Sequence, residues 1–142
     1  MYNIMRSLIL GVFLFAICFC QSKEDSFVNH QKIIQNEFES SYGEGWQFSW
    51  NLNDTPHRIF GKSISQNFNG SDPLQSEMAA RAFISSHQSF FNLSENSLEL
   101  WVNEQHGNLR YLIFNQVYNG ISVWNGRIDF RYRLNGDLVM IG

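Results

Sequence analysis

The stretch "NQVYNGISVWNGRIDFRYRLNGDL", from Asn115 to Leu138, decides the fold because it holds three Asn-Gly pairs. Asn-Gly is the strongest short signal for a β-hairpin, since a type I′ turn needs positive φ at both central residues. After Gly126 the side chains alternate strictly between apolar and polar, which predicts a strand with one buried face. The apolar side chains are Ile128, Phe130, Tyr132 and Leu134, and the polar ones are Arg127, Asp129, Arg131 and Arg133.

Before the middle Asn-Gly pair the apolar residues change parity, since Ile121 and Val123 stand at odd positions. If both segments face the same core, one extra residue must be absorbed between them, as in a β-bulge, where glycine is common. We therefore predict hairpin turns at Asn119-Gly120 and Asn135-Gly136, and a bulge at Asn125-Gly126 inside one long strand. The alternative is a third tight turn at Asn125-Gly126.

Residues 1–20 have the pattern of a secretory signal peptide. Arg6 precedes an apolar run that is too short to span a bilayer comfortably, and Cys18 and Cys20 are spaced for cleavage before Gln21. The sequence thus predicts a secreted protein with no membrane attachment after cleavage. The alternative is a lipoprotein anchored through a lipidated Cys20, although Phe19 is bulky for that signal.

The composition of the chain after residue 20 argues against disulfide bonds and against a nucleic-acid partner. Both cysteines lie in the first twenty residues, so no disulfide can staple the domain that follows. The formal net charge is −3, and it becomes more acidic without Arg6. Phosphate binding needs a concentrated basic face, so we expect no nucleic-acid partner.

The first part of the exported chain is predicted to be a leader followed by a hairpin. Residues 21–45 form the leader, with a short helix from Phe27 to Phe38 that ends before Gly43. Trp46 to Leu52 alternates with a period of two and predicts a strand. The turn residues that follow lead into a second, antiparallel strand from Arg58 to Ile64.

One long helix is predicted from Pro73 to Phe91, with Asp72 as N-cap and proline at the first position. We expect one apolar side and one side that faces water. The apolar side comprises Leu74, Met78, Ala82, Phe83, Phe90 and Phe91, and the other side comprises Gln75, Glu77, Arg81, Ser85 and Gln88.

Four further strands complete the prediction. They are Leu98 to Val102, Leu109 to Tyr118, Ile121 to Leu134 and Asp137 to Ile141. One main amphipathic helix packed on an antiparallel β-sheet is an α+β fold.

Catalytic motifs are missing from the sequence. The four histidines are 27, 30 and 19 residues apart and none is followed by Glu, so the H-E-x-x-H zinc motif does not occur. There is no G-x-S-x-G context and no glycine-rich phosphate loop. We predict a non-catalytic chain that binds no cofactor.

Two surface features remain as candidates for binding. Arg127, Arg131 and Arg133 form a stripe that would suit an acidic partner, although alternating charge is also typical of the wet face of a sheet. The tryptophans could form a platform for a carbohydrate or a peptide, although aromatic side chains in strands more often lie in a core. The tryptophans are Trp46, Trp50, Trp101 and Trp124.

The chain from about Trp46 onward resembles the FTP domain, the N-terminal propeptide domain of thermolysin-like and fungalysin-like zinc metallopeptidases. "HRIFGKSI" and "EMAARAFISSHQSFFNL" are similar to a strand and a helix of that family. The more specific match is "LRYLIFNQVYNGISVWNGRIDFRYRLNGDLVMIG". The residues that carry it are Gln116, Tyr118, Gly120, Val123, Gly126 and, in the closing turn, Gly136.

This resemblance implies a function that residue patterns alone do not give. Residues 46–142 would be an FTP-like, cystatin-like or PepSY-like domain that stops before a PepSY-like segment and a peptidase domain. It would act as intramolecular chaperone and inhibitor of a cognate metallopeptidase, in cis or in trans, with zinc only in the peptidase domain. The arginine stripe is then the candidate docking face. The alternative is a stand-alone secreted protein-binding or peptidase-inhibitor module.

Overall fold

The computed structural model describes residues 30–94 and 97–142. The predicted signal peptide, the alternative lipid anchor at Cys20 and the predicted helix start at Phe27 lie outside the described residues. Residues 30–42 form a helix, α1. The helix predicted in this region therefore exists, and it continues beyond Phe38 almost to Gly43, whose positive φ of 81° suits a helix end.

Six strands form one antiparallel sheet, so the predicted α+β class is confirmed. The order across the sheet is β1-β2-β6-β5-β4-β3, with β6 inserted between β2 and β5. The strands are β1 (Gln47–Trp50), β2 (Pro56–Ile64), β3 (Leu98–His106), β4 (Leu109–Tyr118), β5 (Ile121–Arg133) and β6 (Leu138–Ile141). β3 is thus longer than predicted, and the other strands match their predicted positions within a few residues.

The predicted long helix is divided into α2 (Pro73–Ser86) and α3 (Gln88–Phe91). Asp72 is the N-cap, as predicted, and its carboxylate accepts from the backbone N–H groups of Leu74 at 2.9 Å and Gln75 at 3.2 Å. At the break, Nδ1 of His87 lies 2.7 Å from the carbonyl oxygen of Phe83 and competes for an acceptor of the helix. Nε2 of His87 lies 2.9 Å from the hydroxyl of Tyr42, which ties the break to α1.

The predicted apolar side of this helix is wrong in its first half. Leu74 and Met78 are 66% and 62% exposed, and Ala82 is also exposed. The buried positions are Ser76, Ala80, Phe83 and Ile84. Small side chains at Ser76 and Ala80 let the helix lie close to its neighbours. Side-chain size therefore decides which face of the helix is buried here more than the hydrophobicity of each residue does. In the second half, Phe83 and Phe91 are buried as predicted.

A single core lies between the helices and one face of the sheet. Ile128, Phe130 and Tyr132 of β5 are buried in it, which confirms the alternation read from the sequence. Phe38 of α1 joins the same core, against Trp46 and Phe90. The other face of β5 carries Arg127, Asp129, Arg131 and Arg133.

One end of the sheet, which we call the anchored end, is pinned by the loop that precedes α2. Arg110 is only 5% exposed, and its guanidinium donates to the carbonyl oxygens of Gly70 at 2.7 Å and Ser71 at 2.5 Å. The same group donates to Oδ1 of Asn103 at 2.9 Å. A buried charge is stable only when its donors are satisfied, so this arginine fixes the loop onto β4.

The predicted turn at Asn135-Gly136 belongs to the anchored end and connects β5 to β6. The N–H of Gly136 donates to the carbonyl of Arg133 at 3.0 Å, and Gly136 has a φ of 90°. A Cβ at this position would collide with the carbonyl oxygen of Phe68. Glycine is therefore required here both for its backbone conformation and for space.

Candidate functional site

The β4–β5 hairpin ends in the two-residue turn predicted at Asn119-Gly120. Both residues have positive φ, 51° and 77°, as a type I′ turn needs. Tyr118 pairs directly with Ile121 across the turn. A Cβ on Gly120 would have no neighbour within 4 Å, so this end of the hairpin projects away from the remainder of the described chain.

The predicted bulge at Asn125-Gly126 lies inside β5, which excludes a third turn at this pair. The pairing shifts from Asn115 with Arg127 to Val117 with Ser122, so that residues 123–126 all lie opposite Gln116. The strand therefore absorbs three extra residues, whereas the parity argument predicted one. The expectation that Ile121 and Val123 face the core is also wrong, since both are exposed.

Asn125 and Gly126 have different tasks in this bulge. Asn125 adopts the positive φ, 57°, whereas Gly126 does not. A Cβ on Gly126 would lie 2.9 Å from Cβ of Val123, closer than such atoms can approach, and would make a tight contact of 3.0 Å with Oε1 of Gln116. The glycine thus makes room for a tight fold of the strand, which turns the preceding residues outward.

The consequence is a group of exposed apolar side chains at the hairpin end. Trp124 is 90% exposed, Ile121 73% and Tyr118 72%. We call these three residues and Val123, which is also exposed, the hairpin-end patch. Isolated apolar residues on a surface need no explanation, but four exposed apolar residues within seven positions around one turn suggest an interaction site.

The arginine stripe lies on the sheet face opposite the core, as predicted, but its three members differ in their contacts. Arg131 is held 4.9 Å from the ring centre of Tyr111 and 3.6 Å from Asp129. Arg133 lies 3.8 Å from Asp137. Arg127 is exposed beside the hairpin end and has no ion-pair partner among the described residues. The charge available to a partner is therefore concentrated at Arg127 and, in part, Arg133.

A cleft opens beside the patch, where the β1–β2 turn, the end of α3 and the bulge meet. Its volume is about 370 Å³. The floor is apolar and includes Ile59, Phe91 and Ile128, and the rim carries many side-chain amides. The polar side chains around it are Asn51, Asn53, Thr55, His57, Asn92, Gln116, Asn125 and Arg127. A mixed cleft of this kind suits a ligand with both apolar groups and hydrogen-bonding groups.

Residues that the resemblance singled out mostly lie in this region. Gln116, Tyr118, Gly120, Val123 and Gly126 are all on the β4–β5 hairpin, whereas Gly136 lies at the anchored end. Sequence reasoning named Trp124 only among four tryptophans and favoured a core position for them, and it did not find the cleft. The parity change before Asn125 was a usable signal for the exposure of Trp124, because it shows that residues 121–124 cannot all share the buried face of β5.

The histidines are dispersed over the described chain. His30 is on α1, His57 on β2, His87 between α2 and α3, and His106 at the end of β3. Within residues 30–94 and 97–142, no group of three His, Cys, Asp or Glu side chains is placed to hold a metal ion. The absence of catalysis in this chain stays a prediction.

The tryptophans divide between core and surface. Trp46 is buried, while Trp101 and Trp124 are exposed.

The described helices include none that is long and apolar enough to cross a membrane. The chain matched no protein-family model, no curated protein and no solved structure.

Proposed function

We propose that this chain is a protein-binding domain, and that it is the propeptide region of a secreted zinc metalloendopeptidase precursor. In that role it serves as intramolecular chaperone and inhibitor of the peptidase domain, without catalysing a reaction itself. The proposal includes the cystatin-like or PepSY-like arrangement that the sequence resemblance implies. The observation that carries the protein-binding function is the hairpin-end patch, with Trp124 almost fully exposed.

The patch has the composition of a binding anchor. Tryptophan and tyrosine dominate the energetics of many protein interfaces because each buries a large area and loses little conformational entropy. Trp124 and Tyr118 lie on a hairpin whose turn and bulge are both fixed by backbone geometry. A partner therefore binds a surface that is already ordered, which reduces the entropic cost of association.

The arginine stripe supplies a second, weaker contribution. Exposed charges affect the rate of association and the choice of partner more than the final affinity. Arg127 is adjacent to the bulge and faces away from the core, so a partner that covers the patch also meets this charge. We therefore propose that the patch anchors the peptidase domain and that Arg127 and Arg133 steer its approach.

The first experiment is binding in trans to a mature metallopeptidase of the thermolysin-like or fungalysin-like class. Trp124→Ser and Ile121→Ser are the test variants. Leu74→Ser and Met78→Ser are the controls, because those two residues are also apolar and more than 60% exposed but lie on α2. We expect the test variants to raise Kd by about tenfold or more, as for other interface anchors, and the controls to leave Kd unchanged. Equal effects of both pairs would contradict the role of the patch.

The second experiment examines the steering role by stopped-flow association at several salt concentrations. Arg127→Ser with Arg133→Ser should lower the association rate and flatten its dependence on ionic strength, since salt screens exposed charges. An unchanged rate and salt dependence would remove the stripe from the proposal and leave the patch in place. Inhibition of the peptidase by residues 46–142 is expected to be weak. The resemblance implies that the part of such precursors that fills the peptidase cleft is a further, PepSY-like segment.

The alternative is a stand-alone secreted protein-binding or peptidase-inhibitor module. The structure gives it one argument, since the described residues close a single core by themselves. The DNA downstream of codon 142 distinguishes the two functions. A reading frame that continues into a segment with H-E-x-x-H indicates the precursor, and a stop codon indicates the module.

A further inference from the structure

We propose that Asn119, in the turn of the β4–β5 hairpin, is a site of spontaneous deamidation. In this modification the side-chain amide loses ammonia, and the residue becomes aspartate or isoaspartate. The isoaspartate product opens the turn that orders the hairpin-end patch, so the modification is a slow, one-way switch. The site itself does not depend on the proposed function, whereas its effect on a partner rests on that function.

The reaction needs an asparagine followed by a residue whose backbone nitrogen can reach the side chain. This nitrogen loses its proton and attacks Cγ of the asparagine, so a new bond forms between them while the bond from Cγ to Nδ2 breaks. Nδ2 leaves as ammonia with the proton, and water then opens the five-membered ring at either carbonyl. Water is thus the only co-reactant. Glycine hinders the attack least, because it has no Cβ.

The sequence alone offers several such sites. They are the pairs Asn69-Gly70, Asn119-Gly120, Asn125-Gly126 and Asn135-Gly136. Closing the ring requires that the glycine N–H is not held in a hydrogen bond and that the backbone of the asparagine can rotate. The fold treats the four pairs differently in both respects.

The pair Asn69-Gly70 is held in the loop before α2. Gly70 is buried, and its N–H donates to the carbonyl oxygen of Leu134 at 3.0 Å. Oδ1 of Asn69 accepts from the N–H of Ser71 at 3.1 Å. Both bonds must break before the ring can close, so the fold protects this pair.

The pair Asn135-Gly136 is protected in the same way. Gly136 is buried, and its N–H donates to the carbonyl oxygen of Arg133. The side-chain amide of Asn135 is bound on both sides by Asp137, whose N–H donates to Oδ1 at 3.2 Å and whose carboxylate accepts from Nδ2 at 3.1 Å. This amide therefore cannot turn toward the glycine without losing both contacts.

The pair Asn125-Gly126 is hindered by packing. Asn125 is exposed, but a Cβ on Gly126 would lie only 2.9 Å from Cβ of Val123. The backbone at Gly126 therefore has little room to rotate. We expect its rate to lie between those of the protected pairs and that of Asn119.

The pair Asn119-Gly120 meets both requirements. Both residues are exposed, and the N–H of Gly120 donates to no backbone carbonyl of the described chain. No atom lies within 4 Å of a Cβ placed on Gly120, so rotation of the backbone at Asn119 meets no neighbour. This is the pair at which the structure leaves the reaction unopposed.

The product changes the surface that the hairpin presents. In isoaspartate the main chain is longer by one carbon atom, whereas a two-residue type I′ turn needs a fixed backbone conformation at both residues. The direct pairing of Tyr118 with Ile121 is then lost. The new carboxylate also places a negative charge among the exposed apolar side chains of the patch. Both changes weaken a surface whose affinity depends on order and apolar contact.

The first experiment compares the native chain with the same chain unfolded in urea, both kept at 37 °C and pH 8. Mass spectrometry of tryptic peptides measures aspartate and isoaspartate at each pair. Asn119 and Asn125 share one tryptic peptide, so electron-transfer fragmentation assigns the change to one of them. In the native chain we expect Asn119 to react faster than Asn69 and Asn135 by about tenfold or more, because those two must first break hydrogen bonds.

The unfolded chain is the matched control for this comparison. All four asparagines have the same neighbour in sequence, so their rates in urea should be similar. A native rate at Asn119 no faster than those at Asn69 and Asn135 would overturn the proposal.

The second experiment examines the hairpin itself. The isoaspartate form is separated by chromatography, and amide NMR follows the contacts between Tyr118 and Ile121, which we expect to be lost. Asn119→Gly is the control, because glycine suits the turn and has no side-chain amide. Its spectrum should not change on ageing. An isoaspartate form that kept the contacts between Tyr118 and Ile121 would show that the modification is not a switch.

The third experiment measures binding to the metallopeptidase. The isoaspartate form should have a Kd about tenfold higher than the fresh parent, as expected for Trp124→Ser. If Trp124→Ser binds as the parent does, the proposed function fails and the modification site remains. If Trp124→Ser loses binding while the isoaspartate form keeps it, the switch is wrong and the proposed function remains.

Discussion

The two ends of the β4–β5 pair differ in what holds them. At the anchored end, a buried arginine and two close backbone contacts join the loop before α2 to the sheet. At the other end, the hairpin projects and presents Tyr118, Ile121 and Trp124 to solvent. Both ends contain an Asn-Gly pair and a glycine with positive φ. The same local sequence signal therefore serves stability at one end and, by our proposal, recognition at the other.

The largest difference between the ends should appear when each turn glycine is replaced by alanine. Gly136→Ala places a methyl group against the carbonyl of Phe68 and also requires a left-handed backbone, so it should lower the free energy of unfolding by more than about 3 kcal/mol. Gly120→Ala meets only the backbone cost, about 1 kcal/mol, because its surroundings are open. Urea unfolding of both variants measures the difference, and equal losses would contradict it.

Arg110→Met is the next largest change and it concerns the anchored end alone. The substitution keeps an apolar stem but leaves the carbonyls of Gly70 and Ser71 without their donor, which should cost about 3 kcal/mol. Arg110→Lys is the matched control. It keeps the charge but not the planar fork, so its loss should be intermediate. If Arg110→Met were as stable as the parent, the loop would have to be held by other contacts.

A smaller effect at the anchored end depends on pH. The pKa of Asp72 lies below its ordinary value of 3.8, chiefly because the backbone N–H of Gln75 donates to the carboxylate. Because the pKa of Asp72 is lower in the folded chain than in the unfolded chain, the ionised carboxylate stabilises the fold at pH values above 3.8. This stabilisation is lost as the pH falls through the pKa of the folded state. Asp72→Asn keeps a capping side chain without the charge.

The melting temperature of Asp72→Asn should therefore lie below that of the parent at pH 7. The gap should be smaller than that of Arg110→Met and should narrow as pH falls below 3.8. Thermal unfolding followed by circular dichroism at pH 7, 4 and 2.5 measures this. A gap that stayed constant over the range would mean that the charge of Asp72 does not contribute.

The smallest stability effect is expected at the hairpin end. Trp124→Ser removes a side chain that is 90% exposed, so the free energy of unfolding should change by no more than about 0.5 kcal/mol. The same variant is expected to lose binding to the peptidase, which would separate recognition from folding. A loss of several kcal/mol would show instead that Trp124 supports the fold.

The sequence was sufficient to predict the structural features that depend on the local alternation of apolar and polar residues and on turn-forming residues. The faces of β5 after Gly126, the turns at Asn119-Gly120 and Asn135-Gly136, and the N-cap at Asp72 follow from neighbouring residues. The size of the bulge did not follow, because the register of a strand is set by its partner, here Gln116 of β4. The buried face of α2 was also missed, because small residues at Ser76 and Ala80 carry little hydrophobic signal.

Two other features could be found only in part. Arg110 has the same parity in β4 as Leu112 and Phe114, which would have placed its side chain in the core. The pattern alone gave no partner for its charge, since the acceptors lie forty residues earlier in the chain. The cleft is lined by residues of the β1–β2 turn, α3 and five different strands, so no single stretch of sequence predicts it.

The strand order has a consequence for the kinetics of folding. β3, β4, β5 and β6 are neighbours both in the sheet and along the chain, whereas β2 reaches β6 only after the intervening helices and three strands have been passed. Closing a long loop costs more entropy than closing a short one, and non-local contacts therefore form late. In pulse-labelled refolding we expect the amides of β4 and β5 to become protected first and those of β2 last.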